Sequence, residues 1–319
     1  MRVLVTGGAG FIGSHLVEKL LGDGHGVAIL DDFNDFYDPE IKRENVAAVS
    51  RDVSIHQIDL RDSAALRSLF HKEKFEAIMH LAARAGVRPS IQHPQLYYDT
   101  NVSGTLHLLE AARVTGVQRF VFASSSSVYG ISKTVPFSED LRLTQTISPY
   151  AATKIAGEFL CSTYSHLYQL RIVALRYFTV YGPRQRPDLA IHQFTKRIHF
   201  GQPIDQFGDG TTRRDYTYID DIIQGTMAAL KYDGALFDVF NLGESETIQL
   251  SDLIAAIERT VGKKAKVNQL PEQPGDMALT CADISKAKKS LGYDPQTSFA
   301  EGLPRFVNWF LGSEASRAN

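Results

Sequence analysis

The run Val3-Leu4-Val5-Thr6-Gly7-Gly8-Ala9-Gly10-Phe11-Ile12-Gly13 decides the fold. A short apolar strand runs straight into glycines three apart, and helical spacing begins at Ile12. Small residues at Gly7, Gly10 and Gly13 permit a tight turn, close approach of a pyrophosphate and close helix–strand packing. The helix N-terminus that follows adds N–H donors and a favourable dipole for phosphate. A glycine triad alone also serves any strand-to-helix turn, so its meaning depends on what surrounds it.

Outward from this turn, strand-like runs alternate with helical periodicity. After the helix near 12–21 come strands near 27–30 and 54–58, a helix near 63–71, and a strand near 77–80. A long helix near 101–115, a strand near 120–123, a helix over 150–168 and a strand near 171–175 complete the pattern. Such alternation predicts a Rossmann-type α/β fold, a doubly wound parallel sheet, with a smaller mixed α/β C-terminal substrate domain. Residues 1–178 plus 215–242 are assigned to the first domain, because 237–241 reads as a returning strand. Residues 179–214 plus 243–312 are assigned to the second, and the polar tail 313–319 is expected to fray.

Composition narrows the class. In 319 residues, 44% are hydrophobic and 22% charged, as in ordinary soluble globular proteins. The net charge of -2 provides no field to favour nucleic acid or an anionic membrane. Cys161 and Cys281 stand in no metal or redox spacing, so neither a zinc site nor a disulfide framework is expected. No apolar run reaches membrane-spanning length, and Met1 lies almost on the first strand, so a cytoplasmic enzyme is expected.

Two later segments give the glycine turn its chemistry. Val27-Ala28-Ile29-Leu30 ends in Asp31-Asp32, where a carboxylate can bind the adenosine ribose diol and repel a 2′-phosphate, favouring NAD over NADP. Tyr150 and Lys154 lie four apart on one helix face, so an ammonium can sit beside a phenol and favour the phenolate. Upstream, Ser124-Ser125-Ser126-Ser127 follows a strand at the sheet edge where ligands bind, and one hydroxyl there can bond a substrate oxygen losing its proton. His80 reads as a buried, hydrogen-bonded histidine rather than a base.

Together, Thr6–Gly13, the serine run and Tyr150/Lys154 resemble the extended short-chain dehydrogenase/reductases of the nucleotide-sugar epimerase and dehydratase group. The resemblance implies that Phe11 and Ile12 line the cofactor, that Asp59 and Leu60 sit by the adenine, and that Leu81, Ala82 and Ala83 also line it. Asn101 would support the active-site helix, and Tyr177 and Phe178 would approach the nicotinamide. Arg214, Gln206 and Phe207 would bind the nucleotide part of a UDP-sugar. Arg88 is either a second anion contact or a packing residue. The helices near 101–115 and 150–168 would form a homodimer interface, with Val102, Leu106, Leu109 and Ala112 either core or interface.

Sugar dehydratases of this group carry Thr-Asp-Glu where this chain has Ser125-Ser126-Ser127, and related decarboxylases carry glutamate at the Ser127 position. Without a carboxyl acid there, C4 oxidation and re-reduction remain, which is epimerisation. The segments 32–38, 85–88, 176–183, Arg186-Pro187-Asp188 and Gln273-Pro274-Gly275-Asp276 resemble those of UDP-glucuronate 4-epimerases. On that resemblance Ser126, Ser127 and Thr179 would hold a substrate carboxylate, with Arg186, Gln273 and Asp276 also at the substrate. Arg84 and Pro89 depart from the usual pattern of the group. Epimerisation of UDP-glucose or UDP-N-acetylglucosamine is the alternative, and a non-catalytic nucleotide-binding regulator is a third reading.

Overall fold

A computed structural model describes residues 1–272 and 277–317, with side chains up to Ser313. β1 (Arg2–Thr6), α1 (Phe11–Gly22), β2 (Gly26–Asp31), α2 (Pro39–Ala47), β3 (Ser54–Gln57), α3 (Ser63–Lys72) and β4 (Ala77–His80) open the chain. Two short helices, α4 (Val87–Gln92) and α5 (Pro94–Tyr98), precede α6 (Gly104–Thr115), β5 (Arg119–Ser125), α7 (Pro149–Tyr168) and β6 (Arg171–Tyr177). A seven-stranded parallel sheet takes the order β11-β6-β5-β4-β1-β2-β3, the edge strand β11 (Phe237–Leu242) returning from far along the chain. The order reverses between β1 and β4, which opens the crevice where ligands bind in doubly wound sheets.

Period-two alternation splits the core across this sheet. Val3 and Val5 point to one face with Leu16, Val17 and Leu20 of α1. Leu4 points to the other with Leu66 and Leu69 of α3, Leu108 and Leu109 of α6, and Cys161 of α7. Burial pushes the Cys161 thiol well above its ordinary value, which leaves it inert.

The other strands form small sheets. β7 (Thr179–Tyr181) pairs with β10 (Tyr216–Tyr218), β9 (Arg213–Arg214) with β12 (Ile248–Gln249), and β8 (Pro203–Phe207) with β13 (Lys266–Leu270). Around them lie α8 (Ala190–His199), α9 (Ile219–Lys231), α10 (Leu250–Val261), α11 (Ser285–Leu291) and α12 (Phe299–Arg317).

Two local expectations change. The helix expected from 101 begins with a π-helical turn over Asp99–Ser103, where Asn101 turns its amide onto the β4–α4 loop. The last helix continues past Gly312 to Arg317, since the Ser313 hydroxyl bonds the Phe310 carbonyl and good helix formers follow.

Candidate active site

The first βα turn has the geometry of a phosphate cradle. Gly7 adopts a left-handed φ of 68°, and a Cβ there would lie 2.8 Å from the Ala82 backbone nitrogen. At Gly13 a Cβ would lie 2.1 Å from the Gly7 carbonyl oxygen, so only glycine lets α1 approach β1 this closely. The first turn of α1 carries no acidic side chain, and Gly10, Phe11, Ile12 and Gly13 line a cleft of about 480 Å³. That volume suits a small-molecule site, and a helix N-terminus opening into it suits a diphosphate.

Asp31 and Asp32 lie at the β2 end of the cleft. Asp31 is buried; its Oδ1 accepts from the Lys42 ammonium at 2.9 Å and the Phe33 N–H at 2.9 Å, and its Oδ2 accepts from the Ala9 N–H at 3.3 Å. Oδ2 therefore keeps acceptor capacity for a ribose hydroxyl. Lys42 is a cleft residue that motif reading missed. Its signal is positional: it shares a face of α2 with buried Asn45 and Val46, three and four residues on.

At the opposite end, Ser148 caps α7 by accepting from the Ala151 N–H at 3.2 Å, and Pro149 takes the first helical position. This puts Tyr150 in the first turn, against the carboxyl end of β5. The Tyr150 phenol hydrogen-bonds Ser125, and Lys154 Nζ donates to the Ala123 carbonyl at 2.7 Å, 5.8 Å from the Tyr150 ring centre. The electrostatics differ from the sequence expectation. Burial raises the Tyr150 pKa; the Ser125 hydrogen bond and the Arg186 charge oppose this, while Lys154 is turned toward the backbone. Burial also lowers Lys154 to about 8.

Ser126, Ser127, Thr179, Arg186 and Arg214 line the same cleft, together with Leu60, Leu81, Ala82, Ala83, Tyr177 and Phe178. The Ser127 hydroxyl is buried with no protein partner, an atom placed for a ligand. Arg186 forms a bidentate pair with Asp188 at 2.9 and 2.8 Å and lies over the Phe36 ring. Tyr177 contributes its ring to the cleft, while its hydroxyl bonds Thr226 at 2.9 Å. Phe36 and Tyr37, from the segment 32–38 noted in the sequence, and Arg84 also line the cleft, though no site role was assigned to them.

Other predicted residues lie elsewhere. Asp59 accepts from Arg61 at both oxygens, and its neighbour Leu60 lines the cleft. Asn101 stands behind the site: its amide donates to the Arg84 carbonyl at 2.9 Å and to Thr153 Oγ1 at 3.1 Å, tying the β4–α4 loop to α7. Arg88 stacks on Phe207 at 4.3 Å, and Gln206 of β8 turns its amide to the Gly208 carbonyl at 3.3 Å, all outside the cleft lining. Gln273 and Asp276 lie outside the described residues. His80 is a buried structural residue: Thr105 Oγ1 donates to the Asn101 carbonyl and so accepts from His80 Nε2, leaving Nδ1 to accept from Thr6.

A family model described as GDP-mannose 4,6 dehydratase matches residues 4–306. The chain belongs to that family. It is 48% identical over 309 residues to a UDP-glucuronate 4-epimerase of Thermodesulfobacterium geofontis, covering 96% of this chain and 95% of the relative. A crystal structure of the Bacillus cereus UDP-glucuronic acid 4-epimerase with UDP-glucuronic acid and NAD matches with a TM-score of 0.92 and 40% identity, over 98% of this chain and all of that one. The Thermus thermophilus UDP-glucose 4-epimerase complex with NAD matches with a TM-score of 0.90 and 36% identity, again over 98% and 100%. Membership of this family, with the sheet and cleft above, makes the chain an extended short-chain dehydrogenase/reductase of Rossmann type.

Proposed function

We propose that this protein is an NAD-dependent UDP-glucuronate 4-epimerase, producing UDP-galacturonate. The observation that carries the reading is the cleft's combination of a Tyr150–Ser125–Lys154 cluster with hydroxyls alone at positions 126 and 127. The identity to a UDP-glucuronate 4-epimerase along almost the whole chain supports it.

The glycine cradle, Asp31 and the α1 N-terminus fit a dinucleotide, which supplies the hydride acceptor, and later donor, for C4 of the sugar when bound. Tyr150 takes the C4 hydroxyl proton through its position beside Ser125 and returns it to the same oxygen after the sugar has turned over. Lys154 holds positive charge near that phenol and the Ala123 carbonyl fixes its direction. Arg214 binds the diphosphate, and Arg186 keeps the sugar in the cleft during rotation. The C4 ketone is β to the C5 carboxylate, an arrangement that readily loses CO₂. Ser126, Ser127 and Thr179 hold that carboxylate away from overlap with the developing enol.

Incubation with UDP-glucuronate and separation of the products tests the reading. UDP-galacturonate is expected with little UDP-pentose, and Ser127→Ala or Thr179→Ala is expected to release more CO₂. Chiefly UDP-xylose, or turnover of UDP-glucose with none of UDP-glucuronate, overturns the substrate assignment. UDP-glucose epimerisation is the second reading, favoured by the likeness to the Thermus enzyme. An assembled phenol–ammonium pair argues against a purely regulatory role.

We further propose a cytoplasmic homodimer and a division at 178/179 between cofactor and substrate domains, with 215–242 rejoining the first. No helix among the described residues is long and apolar enough to cross a membrane. The dimer face is the outer side of α6 and α7, where Val114, Phe159 and Leu167 are exposed at 61%, 68% and 59%. Leu109 and Ala112 belong instead to the core, and Leu106 turns outward.

A further inference from the structure

Tyr150, Lys154 and Glu158 occupy positions i, i+4 and i+8 of α7, one row on one helix face. Each member of that row is bonded to one of three consecutive residues at the end of β5. The Tyr150 phenol bonds Ser125, Lys154 Nζ bonds the Ala123 carbonyl, and Ser124 Oγ donates to Glu158 Oε1 at 2.5 Å. The first two pairs are the groups assigned to proton transfer. The third lies behind them: Ser124, on the α7 side of β5 with Phe120 and Phe122, reaches the cleft lining, while its partner Glu158 is 7% exposed and does not.

Glu158 is itself held rigidly. Arg176, paired in register with Ser124 on the neighbouring strand β6, grips both carboxylate oxygens at 2.9 and 2.8 Å. Its remaining nitrogen donates to the Tyr129 hydroxyl at 3.0 Å, which donates in turn to Asn241 at 2.6 Å on β11. Nothing in the core requires two charges here, because apolar side chains of similar volume are often as stable as a buried pair. What the pair provides is a carboxylate fixed in direction, aimed at the residue between the two contacts of the reacting groups.

We propose that Glu158 is a positioning residue for the proton-transfer groups, registering α7 on the end of β5 through Ser124 so that Tyr150 and Lys154 meet Ser125 and Ala123. This rests on the epimerase reading. With the row registered at three points, α7 can neither slide nor roll relative to β5; with two, the phenol shifts against the C4 oxygen. Its carboxylate also lies one turn from Lys154 and favours the charged ammonium, in keeping with the direction of its influence there.

The test compares wild type, Ser124→Ala and the double variant Glu158→Gln/Arg176→Met, which removes both buried charges together and so avoids leaving one unpaired. Initial rates are measured with UDP-glucuronate and with its C4-deuterated form, alongside bound NAD and melting temperature. If wild type does not turn over UDP-glucuronate, the functional reading fails before the variants are examined. Given wild-type activity, the inference expects kcat to fall roughly 10-fold or more, since a misplacement near 1 Å can cost ~10²-fold. KM is expected to stay within about twofold, with NAD retained, because none of the residues assigned above to substrate or cofactor binding is changed. The deuterium isotope effect on kcat is expected to rise, since the hydride step becomes more limiting. A purely structural role instead scales kcat with the folded fraction and leaves the isotope effect unchanged. That result, or a folded Ser124→Ala with wild-type kcat, overturns the proposal. Should the double variant fail to fold, Ser124→Ala, which keeps the ion pair, decides alone.

Discussion

Lys154→Met should make the cofactor-free protein more stable while abolishing its chemistry. Burial lowers the Lys154 pKa to about 8 in the folded chain, against 10.5 for an ordinary lysine. The unfolded state therefore binds more protons between those values, and stability rises with pH through that window. Below pH 8 the full penalty of the buried ammonium is present, on the order of 3 kcal/mol. Methionine removes that penalty but loses the 2.7 Å hydrogen bond to the Ala123 carbonyl, a loss of about 1 kcal/mol. The net gain is roughly 2 kcal/mol, or about 4–8 °C in Tm on the scale of 150–250-residue domains. The assay is thermal or urea unfolding of both proteins stripped of nucleotide, because bound cofactor would add its own stabilisation. The midpoint difference should shrink as pH rises from 8 to above 10. A variant melting below wild type at neutral pH, or a difference that ignores pH, refutes the reasoning.

Tyr150→Phe should keep NAD and UDP-sugar binding and lose turnover by roughly 10²–10⁴-fold; near-normal rates would show that another group moves the proton. Asp31→Ala should weaken NAD binding and narrow its advantage over NADP, because the Lys42 ammonium is then no longer engaged by Asp31. Titration of both dinucleotides against apoprotein checks this, and an unchanged ratio contradicts it. Acid should destabilise the fold early, since burial lowers His80 to about 3 and His15 to about 4. The unfolded chain binds protons at these histidines from about pH 6.5 downward while the folded chain does not, so stability falls with pH, by on the order of 3 kcal/mol for His80 alone near pH 4. Urea midpoints across that range measure it, and a flat profile between pH 6.5 and 4 would contradict the buried neutral His80.

How much was legible in the sequence follows from what kind of signal each residue carried. The glycine turn was legible because its spacing states a steric fact: Gly13 has a carbonyl where a Cβ would be. The alternation of strands and helices was legible because β1, β2, β4, β5 and β6 are almost continuously buried and read as unbroken apolar runs. The Tyr150 position was legible from its four-residue spacing to Lys154 and from the serine run upstream. Lys42 and Glu158 were not, since a charged residue on a helix reads as solvated until its partner is known, and those partners are Asp31 and Arg176, 11 and 18 residues away. Asp59 shows a different limit: its family position does not reveal that Arg61, two residues on, pairs with both its oxygens. The pKa expectation for Tyr150 failed on direction rather than distance, because helical spacing brings an ammonium near a ring without deciding where its N–H bonds point.

The family contains dehydratases, yet the cleft explains why elimination is closed to this chain. Removing water across C5 and C6 of a 4-ketosugar needs a base at one carbon and an acid at the other, and the β5 end here presents only Ser125, Ser126 and Ser127. The same absence bears on CO₂ loss. Decarboxylation becomes easier as a carboxylate is stripped of its hydrogen bonds, because the charged ground state then rises toward a transition state in which charge moves onto the ketone oxygen. On the proposed function, hydroxyl donors at Ser126, Ser127 and Thr179 would act in the other direction, stabilising the charge where it starts and fixing the plane of the carboxylate. Arg186 has its guanidinium occupied by Asp188 and by the Phe36 ring, so it contributes shape and a shared charge rather than an unpaired cation that would draw the carboxylate out of place. A neutral, hydroxyl-lined wall and a neutralised arginine thus suit a substrate whose ketone must last long enough to turn over and be reduced from its other face.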